Sequence, residues 1–359
     1  MPSRRGVIGA GLLGLAAASS MAVPAVDGAA SVAPRSRRVR VLSTTDRHTV
    51  QPLIDDFERR HVGLQVDYIE LGSMALYERF LHQRDTAPAR ADVLWSSAMD
   101  LQIKLVNDGY ALRHESRHAP HLPKWAIWKH EAYGTTFEPV SIIVNRQLLA
   151  AADVPQTHAA LASLLIADVP RWRGRVATYD IERAGLGFLI AAQDALATPR
   201  YWDLVQALGR CRASLHADTQ SMLDSVAAGH TLLAYNVLGS YAEVFARGRP
   251  ELGVVYLKDY TLAVSRVAFI ARTAPNPQGA RLWLDHLLSA PGQRLLAEAG
   301  GLQGVRTDAA QSRSVAALEP RLGSAFRPIA LGPGLLAHLD QSKHDALLKR
   351  WRREFEHQR

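Results

Sequence analysis

Apolar residues change their spacing several times along this chain, and each change marks an element. Val39-Arg40-Val41-Leu42-Ser43 has the length and composition of a buried strand. Val50, Leu53, Ile54 and Phe57 then recur at i, i+3, i+4 and i+7, one face of a helix. Leu64 to Ile69 alternates as a strand. Met74, Tyr77, Phe80 and Leu81 give a second helical face, Ala91 to Trp95 a third strand, and Leu101 and Leu105 open a third helix. Strand and helix in alternation predict right-handed parallel units on an open sheet.

A polar loop at Gly134-Thr135-Thr136 leads into EPVSIIVN (Glu138 to Asn145), another strand. A second series follows: strands over 175–179, 231–235 and 252–256, and helices over 185–195 and 201–212. Val264 to Ile270 reads as a strand returning to the first series. Pro277 to Leu288 and Pro291 to Ala299 read as helices, the second with proline in its first turn. The expected class is α/β, with two lobes that are each an open, mostly parallel sheet flanked by helices. Residues 38–138 and 263–302 would form lobe 1 and 139–262 lobe 2, joined by two crossing strands. Residues 303–359 would be a helical tail packing on lobe 2. A cleft between such lobes is where ligands collect, outside the carboxyl ends of the strands.

The first thirty residues carry a different pattern. Met1 to Gly6 holds Arg4 and Arg5, Val7 to Val23 has no charged residue, and small residues surround Ala25 and Ala30. This is the order of a bacterial export signal, cleaved after Ala25 or Ala30, with 31–38 as a linker. Ser3-Arg4-Arg5 resembles a twin-arginine signal. The expected location is the periplasm. No later run of 18 apolar residues offers a membrane span.

The mature chain of about 330 residues exceeds the size at which one core keeps growing, which favours two lobes. Net charge is +8 for all 359 residues, and loss of Arg4, Arg5 and Asp27 leaves +7. A basic balance favours anionic ligands. Basic blocks and aromatic–basic ladders are absent, so nucleic acid is not an expected partner. Cys211 is the sole cysteine, which excludes internal disulfides and thiolate metal clusters. His114, His118 and His121 have suggestive spacing, but Pro120 interrupts any helix there and no HExxH accompanies them. GxSxG, P-loop and strand-to-helix GxGxxG signatures are also absent. No catalytic residue, metal or cofactor is assigned, and the expectation is a binding protein rather than an enzyme.

The candidate site residues sit at strand ends. Ser43, Thr44, Thr45 and Asp46 end the first strand, with Thr49 placed to cap the next helix. Ser96 and Ser97 end the third strand. Hydroxyls and free N–H groups at a helix start make an anion site, and Asp46 could accept bonds from ligand hydroxyls. Thr135 and Thr136 lie at the lobe crossing, where Gly134 lets backbone approach a ligand. Thr178, Tyr179 and Asp180 end a strand of the second lobe, Asn236 ends the next, and Tyr241 follows. Arg266 flanks the return crossing, and its guanidinium suits phosphate or carboxylate.

These segments resemble a known family. VLSTTD with PLIDDFE (41–46 and 52–58), ADVLWSSAMD (91–100), DYT leading to SRVAFI (259–261 and 265–270), APNP, ARLWLDHLLS and PGQ (274–277, 280–289 and 291–293) occur in its order and spacing. The chain resembles periplasmic solute-binding proteins of ABC transporters, in the ferric-ion, hexose-phosphate and phosphoglycerate branch. The resemblance covers roughly residues 38–306. It implies the two-lobed periplasmic-binding-protein fold, a clamp closing on its ligand by hinge motion, a monomer, and an inner-membrane ABC permease as partner. Ferric-binding relatives use adjacent tyrosines in the second lobe. Here that region runs Tyr235-Asn236-Val237-Leu238-Gly239-Ser240-Tyr241, with no adjacent pair. That departure counts against ferric binding, and the hydroxyl-rich strand ends suit a small polar anion better, an organic phosphate foremost. The alternatives are a ligand-sensing subunit for a membrane histidine kinase and a ferric-ion-binding protein.

Overall fold

In the computed structural model the described residues are 37–83, 90–298, 301–309 and 314–356. The expected export signal lies outside them, as does the linker except for Arg37 and Arg38. Among the described residues no helix is long and apolar enough to cross a membrane.

The first lobe is laid down by β1 (Arg38–Ser43), α1 (Arg47–Arg60), β2 (Gln65–Glu70), α2 (Ser73–Gln83), β3 (Val93–Ser96) and α3 (Met99–Asn107), then the short strands β4 (Ala111–Leu112), β5 (Ile127–Trp128) and β6 (Ala132–Gly134). The chain crosses in β7 (Glu138–Asn145). It builds the second lobe from α4 (His158–Ala167), α5 (Val169–Trp172), β8 (Val176–Tyr179), α6 (Gly185–Ala197), α7 (Tyr201–Arg210), β9 (Ser214–His216), α8 (Thr219–Ala227), β10 (Leu233–Leu238), α9 (Gly239–Phe245), β11 (Leu252–Val255) and β12 (Thr261–Val264). It returns in β13 (Val267–Ala271), followed by α10 (Pro277–Leu288) and α11 (Ala290–Glu298), and ends in α12 (Val315–Leu322), β14 (Phe326–Pro328) and α13 (Gln341–Glu356).

The predicted helical faces are the buried ones. Val50, Leu53, Ile54 and Phe57 of α1 pack into one cluster with Val39, Val41 and Val93 of the sheet. Asn276 caps α10 by accepting from Gly279 N at 2.9 Å, and Pro277 follows at the first position, where its missing N–H costs nothing.

Each lobe holds a seven-stranded sheet, in the orders β2-β1-β3-β13-β6-β5 and β14-β12-β7-β10-β8-β9, with β4 on β13 and β11 on β7. The sheets are mixed, not mostly parallel as the alternation predicts. β1, β2 and β3 run parallel, and so do β8, β9 and β10. β13 is antiparallel to β3, and β7 is antiparallel to β10. The reason is connectivity. A strand that has just crossed between lobes starts at the cleft and runs away from it, against neighbours that end there. The single return strand expected over 264–270 is two strands, broken at Ser265 and Arg266, where the chain passes from one sheet to the other.

The C-terminal segment is not purely helical and touches both lobes. β14 pairs with β12 in parallel, Leu331 N donates to Trp125 O at 2.8 Å in the first lobe, and α13 packs on α7 through Leu347, Trp351 and Phe355.

Candidate functional site

The two parallel triads end at a common cleft of about 490 Å³. Lobe 1 supplies Thr44, Asp46, His48 and Thr49 after β1, Leu71 to Ser73 after β2, and Ser97 after β3. Lobe 2 supplies Tyr179 at the end of β8, Ala184 to Leu186 at the start of α6, Ala217 to Gln220 between β9 and α8, and Ser240 and Tyr241 at the start of α9. The starts of α1, α2, α6, α8 and α9 therefore all open onto one space. The positive ends of their helix dipoles face that space, with Arg47 N at α1 donating to Glu70 and Ser221 N at α8 donating to Asp218.

Arg266 closes the bottom of the cleft. Its side chain is 2% exposed, and Glu138 beside it is fully buried. Nε lies 3.0 Å from Glu138 Oε1 without forming a linear hydrogen bond. Nη1 donates to Thr45 Oγ1 at 2.9 Å. Glu138 is held in turn by the hydroxyls of Thr136 at 2.8 Å and Ser240 at 2.7 Å. A buried carboxylate with two hydroxyl donors and a guanidinium is a satisfied pair. It fixes Arg266 rather than leaving it a free clamp.

On the walls, Ser97 N donates to Thr44 Oγ1 at 3.1 Å, tying the ends of β1 and β3 together. Tyr241 Oη donates to Asp46 Oδ2 at 2.7 Å across the cleft. Tyr179 Oη and Thr219 Oγ1 share a short hydrogen bond within lobe 2. Burial pushes the Tyr179 and Tyr241 phenols well above their ordinary range, so both are neutral hydroxyls. Glycine permits this packing: a Cβ on Gly187 would lie 2.5 Å from Tyr179 Cβ.

Of the fourteen residues singled out from sequence, the structure brings Thr44, Asp46, Ser97, Tyr179, Tyr241 and Arg266 onto the cleft lining. Thr45, Thr135 and Thr136 stand behind it as supports. Thr135 Oγ1 accepts from Trp95 Nε1 at 2.7 Å and donates to Arg266 O at 2.8 Å, and Arg266 N donates to Thr136 Oγ1 at 2.9 Å. Ser43 and Ser96 turn back on their own loops, accepting from Thr45 N and Ala98 N. Thr178 is buried within β8, and Asp180 accepts from Glu182 N outside the lining. Asn236 does not end its strand. It occupies an irregularity in the β10–β7 pairing with φ +67° and donates to buried Asp194 at 2.8 Å, away from the cleft. Thr49 lines the cleft but is no cap: α1 starts after Asp46, whose side chain is turned to Tyr241 instead.

The sequence reading passed over His48, Ser73, Asp218, Thr219, Gln220, Ser240 and the buried partner Glu138. The signals were present for some of these. Asp218-Thr219 is a helix cap, Asp218 accepting from Ser221 N at 2.8 Å. Glu138 is a lone charge opening an otherwise apolar strand, which asks for a partner.

Known proteins share this architecture. The family described as bacterial extracellular solute-binding protein matches residues 39–301. The substrate-binding protein of an ABC transporter from Agrobacterium tumefaciens superimposes with a TM-score of 0.84 at 32% identity, over 92% of this chain and 97% of that one. Iron-bound HitA from Pseudomonas aeruginosa follows the same fold at 17% identity and a TM-score of 0.70, covering 88% and 99% of the two chains. So does AfuA from Actinobacillus pleuropneumoniae, with exogenous fructose-6-phosphate bound, at 16% identity and a TM-score of 0.73 over 89% and 98%. No curated protein matches the chain by sequence. The chain therefore belongs to the bacterial extracellular solute-binding proteins, periplasmic components that capture a small solute for an ABC permease.

Proposed function

We propose that the captured solute is a small organic anion, with an organic phosphate the best fit, bound by lobe closure as a monomer and delivered to the permease. The observation that carries this is the meeting of several helix starts at one cleft, next to the hydroxyls of Thr44 and Ser97 and the guanidinium of Arg266. Converging N–H dipoles favour negative charge even where, as here, the nearby arginine is already paired. The Tyr241 hydroxyl orients the Asp46 carboxylate without removing its charge, so the anionic end belongs on the Thr44 and Ser97 side of the cleft. The cleft volume suits an organic molecule rather than a single atom.

Ferric binding is a second reading with its own support. Asp46, Tyr179 and Tyr241 put three hard oxygen donors on the lining, the ligand type a ferric ion takes. Both phenols would have to be deprotonated against the burial that raises them.

Thermal melting against sugar phosphates, phosphoglycerates, inorganic phosphate, dicarboxylates and ferric citrate separates the two. A ligand at about 100 times its dissociation constant adds about 2.7 kcal/mol, a shift of a few degrees. Stabilisation by a phosphate ester, weakened in Thr44→Ala, supports the anion reading. Stabilisation by ferric citrate alone, lost in Tyr241→Phe, replaces it.

A further inference from the structure

We infer that the organic part of the ligand is apolar and planar, not a polyol; this rests on the anion reading and assigns the remainder of the same cleft. Besides its polar groups the cleft is lined by Leu71, Leu186, Leu238, Val244, Phe245 and Leu302. Leu71, Leu186 and Phe245 are half-buried and pack against one cluster that contains Leu238. That apolar wall thus draws on both lobes, Leu71 from the end of β2 and the other three from α6, β10 and α9.

Several of the polar side chains beside this wall are already engaged with protein partners. Tyr179 and Thr219 bond to each other. Ser240 donates to Glu138 at 2.7 Å, and Tyr241 donates to Asp46 at 2.7 Å. Gln220 donates to Asp224 at 3.0 Å on its own helix. A ring carrying several hydroxyls would lose its water against leucine and phenylalanine and find few free partners in return. A flat apolar ring loses nothing there. It gains area removed from water and a face or edge of Phe245 or Tyr241 to pack on. The anionic end would sit toward Thr44, Ser97 and Arg266.

The test is isothermal titration of the purified protein with three probes: phenyl phosphate, glucose 6-phosphate and inorganic phosphate. The inference expects phenyl phosphate to bind about tenfold or more tighter than glucose 6-phosphate. It also expects Phe245→Ala to weaken phenyl phosphate about tenfold more than it weakens inorganic phosphate. Leu186→Asn, at a half-buried position on the same wall, should narrow the preference in the same direction, so the result does not hang on one variant folding well. Glucose 6-phosphate binding as tightly as phenyl phosphate, or tighter, overturns this inference and leaves the anion reading intact. Binding of none of the three overturns the organic-phosphate reading and this inference with it.

Discussion

The Tyr241 hydroxyl donates to Asp46 Oδ2 at 2.7 Å although 195 residues separate them, and the two sit on opposite walls of the cleft. Asp46 ends β1 in lobe 1, and Tyr241 opens α9 in lobe 2. The bond is a latch between the lobes that forms from side chains alone. Tyr241→Phe keeps the ring, including its position 5.4 Å from the Arg266 guanidinium carbon, and removes only the hydroxyl. The expected result is a shift of the closure equilibrium toward the open form by about 0.5–1.5 kcal/mol. Small-angle scattering should show a larger radius of gyration for the variant without ligand, and stopped-flow measurements a faster ligand off-rate. An unchanged scattering curve and off-rate would mean the latch does not bias closure.

The Arg266–Glu138 pair predicts strong non-additivity. Removing the arginine alone leaves a fully buried carboxylate with only hydroxyl donors. Arg266→Met should destabilise the protein by about 3–5 kcal/mol, and Glu138→Gln in the same chain should recover a large part of that. Urea denaturation of the two single variants and the double variant measures the coupling. Simple addition of the two single effects would show that the pair is not the unit the geometry describes.

Much of this was legible in the chain, for a definite physical reason. A buried parallel strand must be apolar, and it must stop where the backbone turns to a helix, so Val41 to Thr44 and Val93 to Ser97 announce both the sheet and the edge of the cleft. What stayed hidden depended on pairing rather than periodicity. Nothing local shows that β10 carries an irregularity at Asn236, which turns that side chain to Asp194. Nor does any spacing reveal that Glu138 neutralises a residue 128 positions away. The short helix α9 presents Ser240 and Tyr241 through tertiary contacts, with too few turns for a readable apolar face.

Two buried titrating groups give the stability a pH dependence whose parts oppose each other. Burial pushes the Asp100 carboxyl up to about 7, against about 3.9 in an unfolded chain. Between those values the native state keeps a proton that the unfolded chain has released. Stability therefore falls as pH rises from about 4 to about 7, by at most about 4 kcal/mol. Burial pulls His286 down to about 4, from about 6.5 unfolded. Below about 6.5 the unfolded chain takes up a proton that the native imidazole refuses, so this contribution is lost as pH falls. The wild-type profile between about pH 4.5 and 6.5 should be flattened by this cancellation. Relative to the wild type, Asp100→Asn should tilt the slope in that window upward with pH, and His286→Gln should tilt it downward. Urea midpoints across the window check this, and identical slopes for all three proteins would refute it.

Gly209 lies where α7 meets α13, and a Cβ there would come 2.1 Å from the Phe355 carbonyl oxygen. Backbone cannot yield as a side-chain tip can, so α13 must shift as a body. Trp351 and Phe355, stacked with ring centroids 4.5 Å apart, would leave a cluster they share with Cys211. Gly209→Ala should cost about 1–3 kcal/mol. It should also expose the one thiol in the chain, which is otherwise buried and has a pKa raised by burial to about 11. Labelling of Cys211 by a thiol reagent under native conditions reads this directly. Faster labelling with the cleft ligand still bound at its usual affinity would show that α13 secures the second lobe without shaping the site. Labelling as slow as in the wild type would mean that the two helices accommodate the methyl group by some route other than separation.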